Sequence, residues 1–200
     1  MKDEKKPYHH KNLRPVLLDE AAKMITSGGV ASVTMRELGR RIGVSRGAPY
    51  RHFSDKDELL MAVAASGFEK LEKAMHDVIN QPDLSYTDRL IRLGSVYVGF
   101  ARENPAHYRL MYGKEALTRW SHPILKDAAD GLFDLLAETL HGFQIENKVE
   151  DKDTRTLVYI AWSAVHGLAS ILIEEHILVE VPIEPIIDEA MQTITKGLKA

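Results

Sequence analysis

The sequence predicts an all-α protein: a small N-terminal three-helix domain carrying a helix-turn-helix, followed by a larger helical bundle. Three observations predict it. Apolar residues recur at intervals of three and four along nearly the whole chain. Alternation of apolar and polar residues never runs beyond a few positions, so no strand is written. The charge is also split: residues 1–56 hold 12 Lys and Arg against 6 Asp and Glu, a net of +6, while the whole chain carries −3, leaving −9 on the rest. A basic head on an acidic body points to a polyanion that meets the head alone. Taken by itself, the same split also fits an incidental gradient in a soluble protein.

The elements follow in order. Residues 1–11 (MKDEKKPYHHK) are polar and aperiodic and read as a flexible arm. Val16, Leu17, Ala21, Met24 and Ile25 then repeat at helical spacing until Gly28 and Gly29 stop them. Thr34-Met35-Arg36-Glu37 is a capping box, with Leu38 and Ile42 as the buried stripe behind it. Gly43-Val44-Ser45 is a tight turn, and Ser45 starts a third short helix that ends near Phe53. Pro49 falls at about its fourth position, where the amide has barely begun to need an acceptor. Ser54, with Asp55 and Asp57, opens a long helix over 54–80. Further helices are predicted over 87–103, 105–112, 122–142, 152–177 and 183–198, punctuated by Asn80-Gln81-Pro82 and Asn104-Pro105. The domain boundary is placed at 56/57, giving a helix-turn-helix head (1–56) and a body (57–200).

Composition excludes several classes. With 44% hydrophobic and 28% charged residues over 200 positions, the chain has ordinary globular content. There is no cysteine, which excludes disulfides, thiolate metal sites and cysteine nucleophiles and suits a reducing cytoplasm. No basic-then-apolar leader opens the chain, and no apolar run is expected to reach the ~20 residues a membrane span needs. No glycine-rich phosphate loop, nucleophile elbow or HExxH occurs, so neither enzyme activity nor a cofactor is expected. Glu174-Glu175-His176 has no ligand partner at i+4, and no metal is expected.

The segment TMRELGRRIGVSRGAPYRHFSDKDELL, Thr34 to Leu60, carries the function. A recognition helix must expose its first turn and be held by apolar residues behind. Val44 and Phe53 supply that back, leaving Arg46, Gly47, Ala48, Tyr50, Arg51 and His52 to face a major groove. Arg46 is the best base reader, because a guanidinium bonds guanine O6 and N7 together. Gly47 and Ala48 allow close approach, and Ala48 or Pro49 is placed to touch a thymine methyl. The hydroxyls of Thr34 and Ser45 lie at helix N-termini, where an anion is favoured. Arg36, Arg40 and Arg41 are either phosphate contacts or solvated surface; Arg36 is kept among the candidates.

In the order Thr34, Ile42-Gly43-Val44-Ser45, Tyr50, His52-Phe53, Lys56 and Leu59-Leu60, this segment resembles the TetR family of bacterial regulators. The resemblance is strong over residues 13–65 and looser over the helical remainder. It implies that Tyr50 and His52 contact phosphate or base edges and that Lys56 binds phosphate. It also implies an effector pocket in the body and a dimer on DNA. Two departures, Arg51 in place of an aromatic and Pro49 in place of an aliphatic residue, leave the class intact but the operator sequence open.

In the body, Trp162, His166 and Gly167 (AWSAVHGL) resemble a tryptophan–histidine–glycine signature of one TetR subgroup. Trp162 and His166, four apart, share a helix face; they are either a pocket wall with one polar handle or a packed core with a bonded histidine. Tyr97, Phe100, Tyr108, Met111, Tyr112 and Trp120 suit an apolar cavity, and each suits plain core as well. Arg102, Arg109 and Arg119 pair either with an acidic ligand or with nearby acids. Helix 152–177 carries two apolar stripes, and the last helix carries its own, so one face is expected to meet a partner subunit. Leu157, Ala161, Ala164, Leu168, Ile171, Ile187, Met191 and Ile194 are the expected interface. The implied partners are a double-stranded operator, a small-molecule effector and a second copy of the chain, with no membrane. Two recognition helices about 34–36 Å apart would read a near-palindrome.

Overall fold

The computed structural model of the chain describes residues 12–113, 122–149, 152–174 and 182–199. Among these it is all-helical: α1 (Leu13–Gly28), α2 (Met35–Arg41), α3 (Lys56–Ile79), α4 (Tyr86–Glu103), α5 (Pro105–Tyr112), α6 (Pro123–Asn147), α7 (Thr154–Ile173) and α8 (Ile183–Lys199). The chain divides into two compact units, Met1–Val63 and Ala64–Ala200. The expected arm (1–11), Arg119, Trp120, Glu175 and His176 lie outside the described residues.

The first unit is organised by its caps. Gly29, with φ 70°, ends α1 in the left-handed region that glycine enters without cost. Thr34 Oγ1 accepts the Glu37 amide at 3.2 Å and starts α2. The reciprocal half of the expected capping box is replaced by charge: Glu37 accepts from Arg40 Nε (2.8 Å) and Arg41 Nε (3.2 Å). Gly43 (φ 73°) closes α2, with its own amide on Arg40 O and the Val44 amide on Gly39 O, the paired bonds of a Schellman turn. Leu17, Ala21, Met24, Ile25, Val33, Met35, Leu38, Phe53, Leu59, Leu60 and Val63 are buried here, each contributing on the order of 1.5–3 kcal/mol for the larger side chains.

One sequence expectation changes. The third helix of the head is a tight turn over residues 46–48 followed by one 3-10 turn, Pro49–Arg51. The reason is Pro49. It has no amide to donate to Ser45 O, which instead accepts from Ala48 at 3.0 Å, and the His52 amide likewise bonds Pro49 O at 3.0 Å. The following helix opens on a reciprocal cap: Asp55 accepts the Glu58 amide (2.8 Å), and Glu58 accepts the Ser54 amide (2.6 Å).

In the second unit α4 lies against α6, α7 and α8, and α6 against α7. Leu90, Leu140, Phe143, Leu157, Val158, Ala161 and Leu198 form one buried cluster there. Helix α6 runs five residues beyond the expected end at Gly142 and stops at Asn147, where Lys148 takes φ 53°. The expected helix ends at Gly142; in the fold this glycine makes room for the Tyr86 ring, which lies where a Cβ would be. Helix α7 is long and apolar enough to cross a membrane by length and composition, with mean hydropathy 1.7, although Thr156, Ser163, His166 and Ser170 break its apolar run. Only 28% of that window is buried within the subunit.

Candidate functional site

The head presents a compact surface between α2 and α3. Pro49 is buried, its ring over Gly39, and Phe53 is buried behind it. Arg46, Gly47, Tyr50, Arg51 and His52 are exposed around them, and Ala48 is half-buried. Thr34, Arg36 and Ser45 are exposed on the same unit. Pro49 therefore belongs to the back of the segment, and the thymine contact expected of Ala48 or Pro49 falls to Ala48 alone. Val44 is only half-buried, so Pro49 supplies part of the packing expected of it.

The cations of the head are not equivalent. Lys56 Nζ donates to Val30 O at 2.7 Å, tying the start of α3 to the loop before α2. It is a strut as well as a candidate phosphate ligand, because an ammonium carries three donors. Arg40 and Arg41 both serve Glu37, and Arg41 also reaches Glu20 on α1 at 3.4 Å. These two arginines hold Glu37 down to a pKa of about 2, Arg40 having the larger effect. Arg46 and Arg51 carry charge on the exposed segment itself.

In the second unit the sequence-selected aromatics converge. Trp162 Nε1 donates to the Tyr97 hydroxyl at 3.3 Å. The hydroxyls of Tyr97 and Tyr108 lie 2.9 Å and 2.7 Å from the same atom, His166 Nδ1. Tyr112 stands edge-on to the His166 ring, 5.1 Å between centroids. Burial lowers the His166 pKa below the usual imidazole value and raises the hydroxyls of Tyr97, Tyr108 and Tyr112 above theirs. Burial favours the neutral imidazole, and two hydroxyls converging on Nδ1 suit that atom as an acceptor with the proton on Nε2.

Beside this cluster is a narrow apolar cavity of about 50 Å3. Tyr97, Tyr112 and Trp162 line it. Phe100 and Met111 are buried elsewhere in the unit and do not. Tyr108 and His166 stand behind the wall, joined to it through Tyr97. The rest of the wall is aliphatic and escaped the sequence reading: Leu90, Leu93, Leu132, Leu136 and Val165, with Met75, Phe133 and Thr195. Phe133, an aromatic, and Met75, a methionine, are of the kinds chosen elsewhere and carried a signal that would have flagged them. Three residues expected at a subunit interface, Ala161, Met191 and Ile194, also line the cavity.

The interface expectation is redistributed accordingly. Leu157, Ala161, Ile187 and Met191 are buried in the subunit's own core and have no surface to offer. Ala164 and Leu168 are half-buried, and Ile171 is 43% exposed. The outward stripe of α7 is Ile160 (50% exposed), Ala164, Gly167 and Ile171, at spacings of four, three and four. A Cβ at Gly167 would meet nothing among the described residues, so this glycine leaves the outward face of α7 open to close approach. Two arginines that the sequence singled out in the body are paired: Arg102 with Glu184 at 3.1 Å, and Arg109 with Glu174 at 3.1 Å and with Ile173 O.

Comparison with known proteins matches both units. A family described as "Bacterial regulatory proteins, tetR family" matches residues 17–63, and one described as "Tetracyclin repressor-like, C-terminal domain" matches residues 90–194. The HTH-type transcriptional regulator SrpR of Pseudomonas putida is 26% identical over 132 residues, covering 58% of this chain and 60% of that protein, less than two thirds of its length. A solved protein of unknown function from Rhodococcus sp. RHA1 shares the fold over 98% of this chain and 100% of its own, at TM-score 0.83 and 29% identity. A bacterial regulatory protein in the tetR family from Rhodococcus RHA1 has TM-score 0.73 at 18% identity, covering 94% and 97% of the two chains.

Proposed function

The chain belongs to the TetR family of DNA-binding transcriptional regulators, and from that premise we propose that it is a homodimeric, cytoplasmic repressor whose operator affinity falls when a small molecule occupies the second unit. The observation that carries the DNA half is the exposed run Arg46–His52, held from behind by buried Pro49 and Phe53. Arg46 reads a base; Tyr50, Arg51, His52 and the Thr34 and Ser45 hydroxyls position the segment on phosphates, with Arg36 and Lys56 at its edges. Base contacts specify the site and phosphate contacts fix register.

The dimer reading rests on α7 and α8. The outward stripe Ile160, Ala164, Gly167 and Ile171 has a counterpart on α8 in Ile186, Ala190, Thr193 and Gly197, at the same spacing. Gly197, like Gly167, meets nothing among the described residues where a Cβ would stand. Small and apolar side chains on two adjacent helices suit close packing against the same two helices of a second copy. Sedimentation velocity tests this: the wild type runs as a dimer, and Ile160→Asp shifts it to monomer and abolishes tight operator binding. A monomeric wild type with full operator affinity would overturn the dimer.

The effector half rests on the cavity and on the bonded cluster of Tyr97, Tyr108, Trp162 and His166 beside it. A ligand that binds better to a conformation misfitting the operator lowers DNA affinity by linkage. A second reading, control by a protein partner without a small ligand, draws on the cavity's size, which is well below the roughly 300 Å3 or more of common ligand sites. Operator retention in the presence and absence of bound ligand separates the two.

A further inference from the structure

We propose that the cavity among α4, α6, α7 and α8 takes an uncharged, largely apolar molecule, and that Met191 is the side chain that moves aside to admit it. The inference rests on the ligand-responsive reading above and narrows it to one chemical class.

The lining decides the charge. Among the described lining residues there is no Asp, Glu, Lys, Arg or His. The polar atoms present are already engaged. Thr195 Oγ1 donates to Met191 O at 2.7 Å, and the Tyr97 hydroxyl holds Trp162 Nε1 and His166 Nδ1. Tyr112 is hydrogen-bonded to Tyr97. The arginines that flank the wall in sequence, Arg89 and Arg92, are not among its lining residues: Arg89 lies over the Tyr86 ring and Arg92 donates to Gln81 Oε1 at 2.6 Å, while Arg102 and Arg109 are paired with Glu184 and Glu174. A carboxylate or ammonium entering this wall would lose its hydration and find no counter-charge, which is the costly case of burial. An aliphatic or aromatic molecule loses nothing by the same transfer and gains the wall's dispersion contacts.

The volume decides the movement. About 50 Å3 holds a few atoms, so binding requires the wall to retreat. Met191 is the element built to do so. Its Sδ occupies the place a Cβ would take at Gly94, and it lines the cavity from α8. An unbranched thioether with three rotatable bonds changes rotamer at little cost. The opposite wall is made of Leu132, Phe133 and Leu136, whose shapes are fixed by branching or by the ring.

The test uses the full chain at neutral pH and a matched pair, decan-1-ol and decanoate, differing only in the ionised head group. Displacement of the neutral dye Nile red reports cavity occupancy. The expected result is that Nile red binds, decan-1-ol displaces it, and decanoate does so about tenfold or more weakly. Met191→Ala, which leaves the helix intact and enlarges the cavity, should bind both dye and alcohol more tightly than wild type. Decanoate binding as tightly as decan-1-ol would overturn the neutral class while leaving a ligand-responsive protein. No dye binding to wild type or to Met191→Ala would overturn the site. Alcohol binding that leaves operator affinity unchanged would uphold the ligand class and sink the ligand-responsive reading instead.

Discussion

Replacing Tyr97 by Phe should destabilise the protein more than replacing Tyr108 by Phe, although both hydroxyls reach the same histidine nitrogen. Nδ1 has one lone pair, so a single O–H at a time satisfies it. In Tyr108→Phe, Tyr97 still reaches Nδ1 from 2.9 Å; the bonds lost are those of the Tyr108 hydroxyl to Nδ1, to Ser170 and, at 3.4 Å, to His166 O, about 0.5–1.5 kcal/mol net because a serine hydroxyl rotates to another acceptor. In Tyr97→Phe, Tyr108 still serves Nδ1 from 2.7 Å, but Trp162 Nε1 loses its 3.3 Å acceptor and Tyr112 loses its hydrogen bond to Tyr97. A partly buried donor left unsatisfied adds about 1–3 kcal/mol. The gap between the two variants is therefore about 1–3 kcal/mol, or roughly 2–12 °C in Tm for a chain of this size. Urea or thermal unfolding at one fixed protein concentration measures it, since assembly would couple stability to concentration. Equal losses, or a larger loss for Tyr108→Phe, would refute the assignment of Tyr97 as the hub of the network.

Three further outcomes are expected. Burial lowers the His166 pKa, so the unfolded chain binds its proton first; the histidine's contribution is intact above about pH 6.5 and is lost as pH falls through the lowered value. Wild type should lose stability on that acid side faster than His166→Gln, as read from the difference between their pH–stability curves; identical curves would remove His166 from the account. NMR titration of Glu37 should place its midpoint near about 2, with Arg40→Ala raising it more than Arg41→Ala, and both differences shrinking in high salt; an ordinary carboxylate midpoint would show that the pairs do not persist in solution. In the head, Gly43→Ala should cost about 1–2 kcal/mol because φ is 73°. Gly39→Ala should be neutral or stabilising by up to about 1 kcal/mol, since its Cβ would meet Pro49 Cγ at an ordinary 3.4 Å. The reverse order would contradict the assignment of the turn.

The helices and their order could be read from the sequence because each boundary has a local chemical cause: Gly29 and Gly43 in the left-handed region, Thr34, Asp55, Ser85 and Asp153 as side-chain caps. What escaped depends on partners distant in sequence. Gly142 has the composition of a stop, and only the Tyr86 ring against it explains why α6 continues. Pro49 stands among exposed residues in the sequence, yet the bare Cα of Gly39 receives its ring and turns it inward. Met191 and Ala161 belong to stripes that periodicity alone cannot assign to a subunit's own core or to a second subunit, and burial decides for the core. The aromatic side of the cavity was visible because Tyr97, Tyr112 and Trp162 are rare residue types. Its aliphatic side was not, because a leucine lining a cavity and a leucine filling a core have the same sequence signature.

The central claim is that the exposed run Arg46–His52 reads DNA sequence, twice over, in a symmetric dimer. Selection of bound molecules from a random duplex pool, at a stated salt concentration, tests it most directly. The account predicts enrichment of a near-palindrome whose half-sites lie about one helical turn, or a multiple of it, apart, and loss of that enrichment in Arg46→Ala. A pool with no enriched sequence, or an Arg46→Ala variant that enriches the same site as wild type, would contradict it.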